Sequence, residues 1–383
     1  MNSSLCECIY QNCPVGCIDP SGEWYCNFNE CLHKDLSPFN TTDVYLIIIL
    51  FFVNIVTTIS GAGGGGIIIP ILILLGNFGT DYSIPLSSIM ITGSCLARVI
   101  FFFNKKHPQP PTRYMINWDS IMVMTPFIAA SSYLGILIND YSPKYIILSL
   151  LIFFQVVACI SAVYYEKNSV NTNEEIHVNN TSETPLRHWL NMIIYIINIA
   201  IFIAVTLIQQ LYQNSNTYNI IKSIFFLING IIVVVIIRKI FLNKKSRNYN
   251  FSSSDLSWDA GMFAKFIGVS CCVGIVSSFL GLGGGILINP FFIAIGMSPL
   301  IASYTSPYIT FYSSLISSIQ YIFIKKQVLP YYGILFFLEA IGGTLIGIYI
   351  IQKLKEFRII ILLLIFIMIT SIVLLVIIFV KDI

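Results

Sequence analysis

Charge is what this sequence has least of. Of its 383 residues 10% are charged, 21 basic and 18 acidic, while 56% are hydrophobic and the mean hydropathy is +0.81. A water-facing domain carries about 25% charged residues, so a soluble enzyme, a nucleic-acid binder and a disordered chain are excluded. The net charge of +3 is too small to argue for an acidic partner. Histidine is scarce too: His33, His107, His177 and His188 all lie in polar segments, so the apolar runs hold no nucleophile–base pair and no metal cluster. No enzyme, cofactor or metal is therefore expected. The chain has no basic region leading into an apolar stretch at its start, so no cleaved leader is expected either. What fits is an all-α polytopic membrane protein.

A spanning helix takes about 20 mostly apolar residues. Uncharged runs cover 44–75, 120–139, 145–165, 189–221, 223–237, 296–324 and 359–380. Three more are interrupted by a single ionisable group: 84–103 by Arg98, 260–295 by Lys265 and 327–352 by Glu339. They are apolar all round, as membrane helices are. The runs at 44–75 and 260–295 are too long for one crossing and are broken by glycines. Ten to twelve crossings are expected, with the broken segments able to dip in and return.

Residues 1–42 form a polar tail holding Cys6, Cys8, Cys13, Cys17, Cys26 and Cys31. An even number of cysteines beside the sequon at Asn40 suits a disulfide-stapled tail in an oxidising compartment. A zinc knot is the competing reading, although the paired C-x-x-C spacing is absent. Cys95, Cys159, Cys271 and Cys272 sit in apolar runs and read as packing residues. Basic loops face the cytoplasm. Arg238, Lys239, Lys244, Lys245 and Arg247 mark one such loop, and Lys105, Lys106 and Arg113 another. Both agree with an extracytosolic N-terminus in the plasma membrane or an endomembrane, if each glycine-broken segment crosses twice. That topology leaves Lys325 and Lys326 outside, against the rule.

The chain repeats itself. G-A-G-G-G-G-I-I-I-P at 61–70 matches G-L-G-G-G-I-L-I-N-P at 281–290 without a gap. Gly61, Gly63, Gly64, Gly65 and Pro70 fall on Gly281, Gly283, Gly284, Gly285 and Pro290, an offset of 220 that also carries Ser94 to Ser314 and Lys105-Lys106 to Lys325-Lys326. Beyond Lys106 the register slips by about eight residues, as a shorter loop in the second half would cause. The expected organisation is a tail at 1–42, a first membrane repeat at 43–166, a polar loop at 167–188, connecting helices at 189–241, a basic loop at 242–258 and a second repeat at 259–383.

Duplicated halves build many secondary transporters, with substrate sites near mid-membrane between the repeats. Glycines among isoleucines weaken a helix by about 1 kcal/mol each, and the following proline lacks the N–H needed to resume the ladder. A half-helix so formed would turn backbone N–H groups into a cavity and favour an anion there. Close packing of small residues is the other reading. A nucleotide loop is a poor fit, since neither run is followed by Lys-Ser or Lys-Thr.

These paired blocks, with S-S-I-M-I-T-G at 87–93, resemble the sulfite exporter TauE/SafE family, its eukaryotic branch in particular. The resemblance covers about 44–165 and 259–380 and implies an integral-membrane permease for sulfur-containing anions such as sulfite or sulfonates. The sequence departs from the family pattern in its cysteine-rich tail and in Asn289 before the second proline.

Ionisable groups at membrane depth are costly and are functional suspects. Arg98 is a counter-charge candidate with a fork suited to a sulfonate; snorkelling to the interface is its other reading. Lys265, near the start of its run, reads as a snorkelling residue. Glu339 is central in its run and is the proton-coupling candidate, or else a salt-bridge partner of Arg98 or Lys265. Hydroxyls follow both glycine runs: Ser87, Thr92 and Ser94 in one half, and Thr305, Ser306 and Ser314 in the other. Neutral donors can hold an oxyanion without trapping it, and they also serve helix packing. The reading reached is a secondary carrier of small anions by alternating access, its partners being the anion, protons and the lipid bilayer. A receptor or scaffold built on the tail, and an anion channel, are the alternatives.

Overall fold

The computed structural model describes residues 24–27, 30–34, 36, 39–60, 64–106, 114–169, 185–211, 216–246, 258–326, 328–353 and 357–382. A short antiparallel hairpin opens it, β1 (Trp24–Asn27) with β2 (Glu30–His33), in a register that sets Cys26 opposite Cys31. Cys6, Cys8, Cys13 and Cys17 lie outside the described residues.

The helices of the first half are α1 (Thr41–Ser60), α2 (Gly65–Leu74), α3 (Thr80–Phe102), α4 (Trp118–Tyr141) and α5 (Lys144–Ser169). Connecting helices α6 (Pro185–Leu211) and α7 (Asn216–Ser246) follow. The second half has α8 (Ala260–Leu280), α9 (Gly285–Ala294), α10 (Pro299–Gln320, prolonged by a π-helical turn Tyr321–Lys325), α11 (Pro330–Lys353) and α12 (Phe357–Asp382). Among the described residues seven of these, α1, α3, α4, α6, α7, α8 and α11, are each long and apolar enough to cross a bilayer. By contrast α2 and α9, of 10 residues each, are about 15 Å long, half the hydrocarbon thickness. Both connecting helices run past the apolar stretches: α6 starts at Pro185, whose fixed φ suits a first helical turn, and α7 continues to Ser246.

The duplication is visible in backbone geometry. The residue before α2 is Gly64 (φ 80°) and the residue before α9 is Gly284 (φ 71°), both left-handed and at the sequence offset of 220. Left-handed backbone favours glycine because it has no Cβ to strike the following carbonyl. These glycines make the breaks. Pro70 and Pro290 do not, because they sit inside the half-helices, which run on through them.

Helix contacts give the repeats opposite orientations. On α11, a Cβ at Gly347 would meet Ile55 O at 2.8 Å and Thr58 Cβ at 2.8 Å on α1; on α4, one at Gly135 would meet Ser278 Cβ at 2.9 Å and Phe279 N at 3.0 Å on α8. Gly343 against Asn54 and Gly274 against Ile128 extend these two seams, and in each the numbers rise together, so the paired helices are parallel. Between α3 and α10 the numbers run oppositely: Tyr308 OH donates to Val99 O at 2.9 Å, while Thr92 Oγ1 donates to Ser314 Oγ at 3.1 Å. Equivalent helices α3 and α10 are therefore antiparallel, and the halves are inverted copies about an axis across the helix bundle.

Each broken segment returns to the end it came from. Tyr332 OH donates to Asp43 Oδ1 (2.7 Å) in the first turn of α1, and its ring stands edge-on to Phe78 (5.1 Å), just after α2. In the other half, Phe266 of α8 packs on Phe291 of α9 at 5.1 Å. The end opposite the hairpin gathers the basic segments. There Trp118 Nε1 donates to His188 Nδ1 (2.9 Å) and His188 Nε2 donates to Phe103 O (2.9 Å), fastening the start of α6 beside the end of α3. Because α6 and α7 are antiparallel, with Lys222 reaching Gln209 (3.1 Å), Arg238 and Lys239 finish at that same end. Lys325 lies at the hairpin's end, where it pairs with Asp140 of α4. That carboxylate neutralises the Lys325 cation.

Candidate functional site

The two glycine breaks meet at the middle of α3. Ile91 is that helix's central residue, and its Cδ1 would stand 2.8 Å from a Cβ on Gly65 and its Cγ2 2.6 Å from one on Gly283. The breaks also touch directly: a Cβ on Gly65 would lie 2.8 Å from Leu282 O. Ser87 of α3 donates to Gly281 O at 3.1 Å. Gly284 lies against Val273 and Ser313, and Gly285 against Thr310 Oγ1. In this conformation the glycines serve close approach of backbones, and the space between the half-helices is filled by Ile91 and Leu282. Gly61 and Gly63 lie outside the described residues.

Beside the first break stands a ring of polar side chains from three helices. Arg98 of α3, 6% exposed, donates from one terminal nitrogen to Ser94 Oγ (3.2 Å) and Thr58 Oγ1 (3.4 Å). Thr344 of α11 closes the ring, donating to Ser94 Oγ at 2.8 Å and accepting from Thr58 Oγ1 at 3.2 Å. Arg98 Nε has no hydrogen-bond partner. Among the described residues no carboxylate pairs with Arg98. Burial of an ion costs several kcal/mol, and two bonds to the charged group return about 1.5–3 kcal/mol each. The hydroxyls thus hold the guanidinium in place while its net charge stays uncompensated.

Glu339 lies about a turn away on α11, 9% exposed; its Oε1 accepts from Asn54 Nδ2 at 3.5 Å, and its Oε2 has no partner. It forms no ion pair with Arg98 or with Lys265, which is exposed near the start of α8. Thr57, next to Thr58, connects ring and break, its Oγ1 being 3.3 Å from a Cβ on Gly64.

The sequence candidates therefore separate. Gly64, Gly65, Ser94 and Arg98 come together in the first half, with Glu339 of the second beside them. Thr92 and Ser314 bridge the repeats, and Thr92 also meets Ser318 at 3.2 Å. Gly281, Gly283, Gly284 and Gly285 form the second break. Thr305 accepts from the backbone N–H of Asn117 at 3.1 Å and fixes the entry to α4 instead. Ser306 is buried one turn before Thr310. Asn54, Thr57, Thr58, Thr344 and Gln155 were not singled out in the sequence. Thr57 and Thr58, four and three residues before Gly61, carried a positional signal; Thr344 and Gln155 carried none, being lone polar residues on distant apolar helices.

Two stretches of the chain, residues 45–202 and 177–374, match the sulfite exporter TauE/SafE family. Similar proteins of Arabidopsis thaliana include sulfite exporter TauE/SafE family protein 3, 22% identical over 306 residues (69% of this chain and 62% of the relative). Family protein 2 is 20% identical over 330 residues (74% and 71%), and family protein 5 is 22% identical over 327 (74% and 70%). The chain thus spans somewhat under two thirds of the first of these. No solved structure gives a significant match. With family matches running through both inverted halves, this multi-pass membrane chain belongs to the sulfite exporter TauE/SafE family.

Proposed function

We propose that the protein is a secondary carrier of small sulfur-containing oxyanions, such as sulfite or a sulfonate, working by alternating access between the inverted repeats. The observation that carries this reading is Arg98: a buried guanidinium held only by neutral hydroxyls beside a half-helix N-terminus, with Nε open. An oxyanion there compensates the charge and takes the N–H donors of Gly65 and Gly66, the first two residues of α2, whereas those of Ile67 and Ile68 are taken by Gly64 O. The planar fork suits two oxygens of a sulfite or sulfonate. The names of the Arabidopsis relatives support sulfite as the first anion to try.

Two re-entrant segments entering from opposite ends and meeting at Ile91 suit a carrier, since moving either one opens a path to its own end while the other stays shut. Glu339, five residues before Thr344 on α11, is the proton site in this reading: protonated it is neutral, and ionised it opposes an anion at Arg98. The tail faces the extracytosolic side, and the basic loops face the cytoplasm.

The test is uptake of labelled sulfite, sulfate, thiosulfate and taurine into liposomes holding the purified protein, with and without a pH gradient. Saturable uptake of at least one anion, lost on Arg98→Gln, is expected. Uptake indistinguishable from protein-free liposomes for all four would overturn the reading. Conductance in planar bilayers at rates far above carrier turnover would favour an anion channel instead.

A further inference from the structure

At the start of α2 the first repeat holds a polar group that its twin lacks. Gln155 of α5, 3% exposed, lays its carboxamide against Gly66, with Cδ and Nε2 each 2.7 Å from where a Cβ would be and Oε1 nearer still. A Cβ on Gly66 would have to displace that amide. Oε1 has no hydrogen-bond partner, although it is fully buried. The carbonyl of Gly66 is taken from the other side by Ser371 of α12, at 2.5 Å. In the second repeat Gly66 becomes Ile286, and the matching stretch of α12 has Ile367 and Met368 in place of a glutamine.

An unmet acceptor inside a membrane bundle costs about 1–3 kcal/mol. The unpaired N–H groups at the start of α2 attract anions, yet a bare oxyanion offers only acceptors and leaves Oε1 unsatisfied. Only a ligand that brings its own donor meets both demands.

We infer that Gln155 makes the half-helix site of α2 selective for oxyanions that carry a hydrogen-bond donor, an O–H or N–H that binds Gln155 Oε1 while the anionic oxygens face the first turn of α2. This rests on the carrier reading and adds a selectivity rule to it. A site built to bind a substrate hydroxyl discriminates strongly against the analogue without it, because the buried partner is then left unpaired.

The experiment uses full-length protein in liposomes and a matched pair of labelled sulfonates, 2-hydroxyethanesulfonate and ethanesulfonate, which differ by one hydroxyl, with sulfite as reference. The wild type should prefer the hydroxylated anion about ten- to hundredfold in kcat/KM. Gln155→Met, which gives the site the apolar character of the second repeat, should bring that ratio to about one, and Gly66→Ala, which displaces the amide, should do the same. Being internal to each protein, the ratio is independent of expression; should a variant transport too slowly, the same ratio is read from ligand-induced thermal stabilisation of detergent-solubilised protein. A wild-type ratio near one, or a ratio unchanged in Gln155→Met, overturns the inference and leaves the carrier intact. Failure of the wild type to move any of the three anions overturns the carrier reading itself.

Discussion

Gly65 and Leu282 join the two repeats: the first residue of one half-helix lies so near the other break that a single added methyl would stand 2.8 Å from a carbonyl oxygen. Gly65→Ala must therefore push the breaks apart or jam them. Overpacking of this kind costs about 1–3 kcal/mol. Anion uptake is expected to fall at least tenfold with the protein still monodisperse on size-exclusion chromatography; wild-type uptake would show that the contact is not made during transport.

The two parallel seams give a stability test that is independent of function. Gly135→Ala and Gly347→Ala each set a Cβ against backbone across a helix pair, so both should lower the midpoint of thermal unfolding in detergent. Gly261 and Gly268 have nothing within 4 Å of an added Cβ, and alanine there should be neutral or gain up to about 1 kcal/mol from helix propensity. A larger loss at Gly261 or Gly268 than at Gly135 would contradict the inverted packing.

Arg98 contributes charge at the expense of stability. Arg98→Leu should leave the unfolding temperature unchanged or raised, since a buried cation is replaced by an apolar side chain, while anion affinity falls about ten- to hundredfold. Arg98→Lys retains the charge without the planar fork and should recover part of that loss. Thermal-shift titration with sulfite reads both effects, and equal affinity in all three proteins would remove Arg98 from the site.

Glu339→Gln keeps the shape and the contact with Asn54 but cannot exchange a proton. Uptake should persist and lose its response to an imposed pH gradient. A gradient response of wild-type size in the variant would assign coupling elsewhere.

Helix directions put the hairpin and Asn40 at one end and the basic segments at the other. Asn40 should carry a glycan in a eukaryotic host, while Asn179 and Asn180, in the segment between α5 and α6, should not; glycosidase treatment and peptide mapping decide. Modification at 179 or 180 would reverse the topology.

How much of this was legible beforehand follows from the range of each interaction. Long uncharged runs mark helices because the bilayer demands internal hydrogen bonding of every backbone group, a local requirement. The register of 220 survives in Gly64 and Gly284 because a left-handed residue is read one position at a time. Pro70 and Pro290 misled: near the breaks in sequence, they proved to be tolerated inside the half-helices. Thr305 also misled, since its partner Asn117 lies in a distant loop.

Sequence by itself determined a membrane protein of two related halves, each broken at a glycine run, because composition and self-similarity need no knowledge of contacts. Only the tertiary structure decided that the halves are inverted, that the breaks meet at Ile91, and that Arg98 sits with Thr58 and Thr344 while Gln155 sits against Gly66. Those facts depend on helices far apart in the chain packing at van der Waals distance, and apolar helices carry almost no sequence record of which neighbour they face.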